Sequence, residues 1–272
     1  MKVANCKKSI VYDTRFGPVF SASGWIPAPR YLMRRARILD LTLDLSPGSL
    51  LEIGPGVGAL LMEFANKGFR CEALEISEQA REIARKCISE SGLQIAIHGE
   101  SRPEWLQCFD SIFAFDVLEH IEEDVEALRQ WYGWLKPGGV LMLSVPARMK
   151  LWTTGDQWAG HFRRYERRDL LSLLQVTGFN VERFECYGFP LTNITEKLGA
   201  LAYKKMTYEA DIPISRQHSS HRSGVERKQV MKFLPFVQSR AGRFVMEFFI
   251  QSQKLFLKSD LGSGYVLKAI RQ

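Results

Sequence analysis

Gly54, Gly56 and Gly58 stand at alternate positions behind the apolar run Leu50-Leu51-Glu52-Ile53, and the helix formers Ala59-Leu60-Leu61 follow at once. This order reads as strand, tight turn and helix start. Glycines open backbone conformations closed to other residues and let a ligand lie against the chain, while the first amides of the next helix face a polar ligand group. The spacing is G-x-G-x-G, not the G-x-G-x-x-G of dinucleotide enzymes, and that favours a small nucleoside cofactor over NAD. Seventeen residues past Gly58, the segment Phe69-Arg70-Cys71-Glu72-Ala73-Leu74 runs into Glu75. An acid at the carboxyl end of a strand can accept both hydroxyls of a ribose. A structural turn and a solvated glutamate are the alternatives, and the pairing of the two features argues against them.

With these two stretches, Phe109-Asp110-Ser111-Ile112-Phe113-Ala114-Phe115-Asp116-Val117-Leu118-Glu119-His120 and Leu135-Lys136-Pro137-Gly138-Gly139-Val140-Leu141 make four motifs in order between residues 48 and 146. They resemble the motifs of class I S-adenosylmethionine-dependent methyltransferases, small-molecule subgroup. The resemblance implies S-adenosylmethionine as cofactor, with contacts from Glu52, Gly54, Gly56, Gly58, Glu75, Ile76, Phe115 and Asp116. It also implies an adenine contact from Glu100 with Ser101, where aspartate is more usual than glutamate. An N-terminal helix that caps the pocket would bring Trp25 and Tyr31 to the acceptor, with packing as the alternative. If helical turns start at Asp116, then Asp116, Glu119 and His120 share a face. A related quinone-pathway subgroup holds a metal on a similar set; a helix start lining the methionine end of the cofactor, with no metal, is the reading preferred here.

Methyl transfer is an in-line displacement, so the protein must align the acceptor, exclude water and, for an oxygen or nitrogen acceptor, remove a proton. The connection Pro146 to Arg168 falls where an active-site lid belongs and is too rich in aromatic and titratable residues for a linker. His161 is the first candidate for the base, because imidazole titrates near neutrality. Tyr165 is a candidate to hold the acceptor, Arg163 or Arg164 to bind an acidic group on it, and His120, Trp152 and Trp158 to line its site. Pairing of the arginines with Asp156, Glu166 and Asp169 is the alternative. The string Gly160-His161-x-Arg163-Arg164-Tyr165 also resembles a recurrent element of one methyltransferase subgroup.

The elements that must position these residues alternate. Strands are expected near 49–53, 70–75, 93–98, 109–115, 139–145, 179–186 and 265–270. Helices are expected near 31–45, 58–67, 78–91 (with Ser77 as N-cap), 119–135, 169–176, 191–208 and 239–258. Alternation of this kind gives an α/β fold, a mostly parallel sheet covered on both faces. The resemblance makes it a Rossmann-like sheet of seven strands with the last antiparallel. The expected division is an N-terminal arm and cap helix over 1–47, a cofactor-binding core over 48–188 with its lid at 146–168, a helical insertion over 189–258 and the final strand over 259–272. Between the last two strands lie about 75 residues, where the resembled family needs only a helix.

The chain of 272 residues is 46% hydrophobic, enough for a sizeable core. Its five cysteines, Cys6, Cys71, Cys87, Cys108 and Cys186, show no paired spacing, and the first residues lack a secretory signal, so a reducing cytoplasm is expected. The net charge of +7 is uneven: residues 196–272 hold 14 Lys and Arg against 6 Asp and Glu, a balance of +8, leaving −1 for the rest. Residues 239–258 set a mostly basic stripe against an aromatic face, a pattern that fits peripheral membrane contact, cover for a hydrophobic acceptor channel, or packing within the domain or in an oligomer. The acceptor is therefore expected to be a small molecule, hydrophobic or lipid-like, with a soluble natural product or quinone-type metabolite as the runner-up. A nucleic-acid methyltransferase and a non-catalytic protein on this fold are the readings from other classes. The basic tail allows the former, but the sequence shows no separate RNA-binding module, and Asp116-Val117 stands after the fourth strand in place of an Asn-Pro-Pro-Tyr-like string, which argues against it.

Overall fold

The computed structural model describes residues 11–13, 17–19, 25, 27–199 and 239–272. Strands β1 (Val11–Asp13) and β2 (Gly17–Val19) pair antiparallel ahead of helix α1 (Pro29–Leu41), so part of the expected extended arm is a small ribbon. There follow β3 (Ser49–Ile53), α2 (Ala59–Asn66), β4 (Arg70–Leu74), α3 (Glu78–Ser91), β5 (Ala96–His98), β6 (Phe109–Phe115), α4 (Asp124–Trp134) and β7 (Leu135–Pro146). The helices α5 (Thr154–Ala159) and α6 (Arg167–Val176), then β8 (Phe179–Tyr187), α7 (Arg240–Ser252) and β9 (Gly264–Arg271) complete the described chain.

One seven-stranded sheet runs in the order β5-β4-β3-β6-β7-β9-β8. Strands β3 to β7 are parallel, and β9 slots antiparallel between β7 and β8. The side-chain period of two explains the cover on both faces. Leu50, Phe113 and Met142 point into a core shared with α1, α2 and α3, whereas their neighbours Leu51, Ile112 and Leu141 point into a core shared with α4 and α6. Such burial is worth about 1.5–3 kcal/mol per large side chain, and it keeps the carboxyl edge of β3, β4 and β6 rigid.

The local signals explain most element ends. Pro29 starts α1, and the Ser77 side chain accepts from the Ala80 amide at the head of α3. Several ends differ from expectation: α1 stops at Leu41 and not at 45, β7 begins at Leu135 and not at 139, and α7 stops at Ser252 and not at 258. The third strand is confined to Ala96–His98. The fourth helix starts at Asp124, not at 119, because Asp116 takes a left-handed φ of 57° and Leu118–His120 makes only a 3-10 turn. Asp116, Glu119 and His120 therefore do not share a helical face. Residues 191–199 are helical; residues 200–208 of the helix expected there, the polar stretch around Arg216 to Gly224 and Cys6 lie outside the described residues. Helix α7 packs on α1, and buried Gln253 ties the two together, accepting from the Gly188 amide at 3.0 Å and donating to the Met33 carbonyl at 3.1 Å. Among the described residues no helix is long and apolar enough to cross a membrane.

Candidate active site

The glycine turn is held from two sides. Gly54 sits at φ 62° with its amide donating to the Leu74 carbonyl, and a Cβ there would meet Val117 Cγ2 at 2.7 Å. Gly58, at φ 77°, is the N-cap of α2, so the first amides of that helix open toward the turn. Glu75 lies behind it. Its carboxylate accepts from the Gly56 amide at 3.3 Å and the Ser77 amide at 2.9 Å, and burial raises its affinity for a proton against those bonds. Ile76 is exposed beside it, and Glu100 and Ser101 are exposed beyond the end of β5.

A cavity of about 270 Å³ runs from this turn to α5 and the turn after it. Gly54, Gly56 and Glu52 line one end; Phe115, Asp116, His120, Trp158 and His161 line the other, with Trp25, Tyr31 and Arg34 as a wall. Trp25 meets Tyr31 edge to face at 5.1 Å. Burial pushes the Glu52 carboxyl up to about 8, and its Oε2 has no partner among the described residues. The structure thus brings together His161, His120, Trp158, Trp25 and Tyr31. Trp152 is not among the lining residues.

The arginines and Tyr165 are committed elsewhere. Arg163 donates to Asp124 at 2.6 Å and to the Glu122 carbonyl. Arg164 is buried and forks onto Asp156 at 2.8 and 2.9 Å. The Tyr165 hydroxyl donates to Asp124 at 2.9 Å, and burial with that carboxylate holds the phenol far above its usual range. These three anchor the connection between β7 and α6: Tyr165 bonds to Pro146 and Arg148 through its backbone, and Arg163 and Arg164 clamp the neighbouring turns.

Sequence reasoning passed over Arg34, which lines the cavity, and Arg30 beside it. Arg30 and Arg34, one helical turn apart on α1, both reach Asp116, Arg34 in a close ion pair and Arg30 at 3.6 Å. Burial opposes ionisation of Asp116, but the two guanidiniums outweigh it and hold the carboxyl below its usual range. Their i, i+4 spacing is the signal the sequence carries for them. Glu119 is 0% exposed with neither oxygen hydrogen-bonded among the described residues, and burial raises it well above the carboxylate range. One donor atom each from Glu119, His120 and His161 lie within 4.8 Å of one another. The trio considered for a metal therefore regroups, with Asp116 turned to the arginines and His161 in its place. Burial and the neighbouring His161 push His120 down to about 3, so its ring is neutral at pH 7.

A seven-stranded sheet with an antiparallel strand slotted next to the end, and a glycine turn opening at its carboxyl edge, defines a Rossmann-like methyltransferase fold. The chain belongs to the methyltransferase-domain family, whose model matches residues 29–183. It is 28% identical over 132 residues to a ubiquinone biosynthesis O-methyltransferase of Xanthomonas euvesicatoria pv. vesicatoria, covering 46% of this chain and 55% of that one. A protein of the same name from Caulobacter vibrioides is 32% identical over 100 residues, covering 35% and 40%. The chain thus spans about half the length of the curated relatives it matches. Among solved structures, the [4+2]-cyclase SpnF aligns with a TM-score of 0.59 at 19% identity, over 89% of this chain and 81% of that one. A putative methyltransferase of Bacillus halodurans C-125 aligns at 0.54 and 17%, over 88% and 99%. These two share the fold. Since one is named a cyclase, activity must be argued from the site.

Proposed function

We propose that the protein transfers a methyl group from S-adenosylmethionine to a small-molecule acceptor, hydrophobic or lipid-like. The observation that carries this reading is one cavity with the glycine turn at one end and two imidazoles at the other. The residues suit the cofactor: the first-turn amides of α2 and Glu75 for a ribose, and an unpartnered Glu52 oxygen and the charged Asp116 toward its amino-acid end. When bound, S-adenosylmethionine supplies a methyl made electrophilic by sulfonium. The protein's own part is to hold the acceptor in line against the wall of Trp25, Tyr31 and Trp158, shut out water with the lid, and take the acceptor's proton on His161. The route uses His161 as a base and assigns the Glu119, His120 and His161 cluster no metal.

The name of the relatives, an O-methyltransferase of ubiquinone biosynthesis, supports a hydroxylated hydrophobic acceptor and keeps a quinone-type metabolite as the runner-up. In this reading residues 1–47 cap the site, 48–188 bind the cofactor, 189–258 form an insertion and 259–272 close the sheet, in a cytoplasmic protein with peripheral membrane contact. That contact is supported by Phe244, Phe248 and Leu255, which are 75%, 61% and 82% exposed. Exposed Arg240, Lys254 and Lys258 flank them, a pattern suited to an anionic lipid surface. The protein should float with vesicles of phosphatidylcholine and phosphatidylglycerol, and Phe244→Ser with Phe248→Ser should abolish flotation. A variant that floats as well as the parent would count against the membrane contact.

The function is tested by incubating the protein with methyl-labelled S-adenosylmethionine and a whole-cell extract, then partitioning the products. Label in the organic phase, lost in Glu75→Ala, is the expected result. Label in small aqueous products would turn the assignment to a soluble acceptor, label in nucleic acid to the other class, and no cofactor binding to a non-catalytic protein.

A further inference from the structure

His161 does not stand alone. Asp156, 2% exposed, lies one lid turn away, and its Oδ1 is 2.9 Å from His161 Nδ1. The same oxygen accepts from Arg164 Nε at 2.8 Å. The other oxygen, Oδ2, accepts from Arg164 Nη2 at 2.9 Å, from the Thr153 amide at 2.7 Å and from the Thr153 hydroxyl at 3.0 Å. A carboxyl group surrounded by donors in this way has no proton of its own to offer. The hydrogen in the Asp156–His161 contact must therefore sit on Nδ1. In the neutral ring this leaves a lone pair on Nε2.

The ring is held in place as well as in tautomer. The His161 amide donates to the Asp156 carbonyl at 3.0 Å, and the imidazole lines the cavity with its edge against His120, 4.7 Å between centroids. Arg164 is braced in turn by Glu196 at 3.4 Å, which also takes Arg30 at 2.7 Å and Ser263 at 2.9 Å. We propose that Asp156 is a positioning residue: its carboxylate, kept ionised and in place by Arg164, holds His161 as the Nδ1–H tautomer with Nε2 available to the acceptor's proton. This rests on the reading of His161 as the base. In the step itself the proton leaves the acceptor's O–H or N–H for Nε2 as the acceptor's electron pair forms the bond to the methyl carbon, and the methyl–sulfur bond breaks with its pair staying on sulfur. Asp156 stabilises the resulting imidazolium without taking a proton.

Asp156 also serves in the capping box of α5 with Thr153, so a purely structural role must be separable. Long-range proton–nitrogen spectra of the full chain, with 15N-labelled histidine and the His161 signals assigned by their loss in His161→Ala, read the tautomer with no acceptor present. The parent should show a single Nδ1–H form, Asp156→Asn a mixture, and Thr153→Ala, which removes the cap and one donor to Oδ2 but leaves Arg164 and His161 on Oδ1, the parent's form. Asp156→Asn should bind S-adenosylmethionine within twofold of the parent by calorimetry while transferring label to the whole-cell extract on the order of 10²-fold more slowly. An Nε2–H form in the parent, or an unchanged tautomer and rate in Asp156→Asn, would overturn the proposal. Undiminished transfer by His161→Ala would overturn it too, but by removing the base, and the spectra would show that the dyad's geometry had been read correctly.

Discussion

Glu52 is a carboxyl that folding buries at the cavity wall, and burial outweighs Arg34 in pushing it up to about 8 from an ordinary 4.5. A raised acid is held protonated by the folded chain and released by the unfolded one between those values. Its contribution to stability is therefore full below about pH 4.5 and declines as pH rises through 8, by on the order of 3 to 5 kcal/mol at most. Glu52→Gln should consequently melt higher than the parent at pH 8.5 and match it at pH 4, in thermal scans without cofactor; an equal gap at both would show that the burial cost is not paid there. The same variant should bind S-adenosylmethionine more weakly. At this scale the sequence disclosed what depends on type and local spacing: Gly54, Gly56, Gly58 and Glu75 announce themselves. Arg30 with Arg34 was half legible, through its spacing. Asp156 was read only as a partner for arginines, because its contact with His161 needs the lid to turn back through Gly160 at a left-handed φ of 76°.

The elements carry different loads at otherwise similar glycines. Gly54 and Gly138 both have left-handed backbones, at φ 62° and 74°, but a Cβ on Gly54 meets Val117 at 2.7 Å whereas one on Gly138 meets nothing within 4 Å. Each Gly→Ala change forces an L-residue into a conformation costing about 1–2 kcal/mol. Only Gly54→Ala should also push the β3–α2 turn off β6 and weaken S-adenosylmethionine binding more than tenfold, a contrast that calorimetry on the two variants checks. Equal binding by both would mean that the turn's shape does not matter to the ligand. Strand periodicity and caps made β3, β4, β6 and α3 readable nearly to the residue. The start of α4 was not, since Asp116-Val117-Leu118-Glu119-His120 has good helix spacing. What breaks that helix is tertiary: the pull of Arg34 and Arg30 on Asp116, whose amide is already bonded to the Ser144 carbonyl at 2.9 Å.

Across the whole molecule, one chain of ion pairs joins parts distant in sequence: Asp116 to Arg30, Arg30 to Glu196, Glu196 to Arg164, Arg164 to Asp156. It ties helix α1, the helical residues 191–199 and the connection between β7 and α6 together beside the cavity. Breaking one partner of a buried pair leaves the other charge uncompensated, at about 3–5 kcal/mol. Arg164→Met should therefore lower the melting temperature more than Arg163→Met, whose guanidinium is partly exposed; the reverse order in a thermal scan would show that the pairs do not act as a chain. Seven strands, mostly parallel with the last antiparallel, followed from the alternation of elements and from the family resemblance, whereas the ion-pair chain joins residues 30, 116, 156, 164 and 196, which only the fold brings together, and was invisible along the sequence. The central claim is that binding and transfer are separate tasks, with the glycine turn and Glu75 holding S-adenosylmethionine and His161 taking the acceptor's proton. It is tested most directly by measuring cofactor affinity and label transfer side by side for the parent, Glu75→Ala and His161→Ala. The account predicts that Glu75→Ala loses both and that His161→Ala keeps its affinity while transfer falls about 10²- to 10⁴-fold; full transfer by His161→Ala, or unchanged affinity in Glu75→Ala, would contradict it.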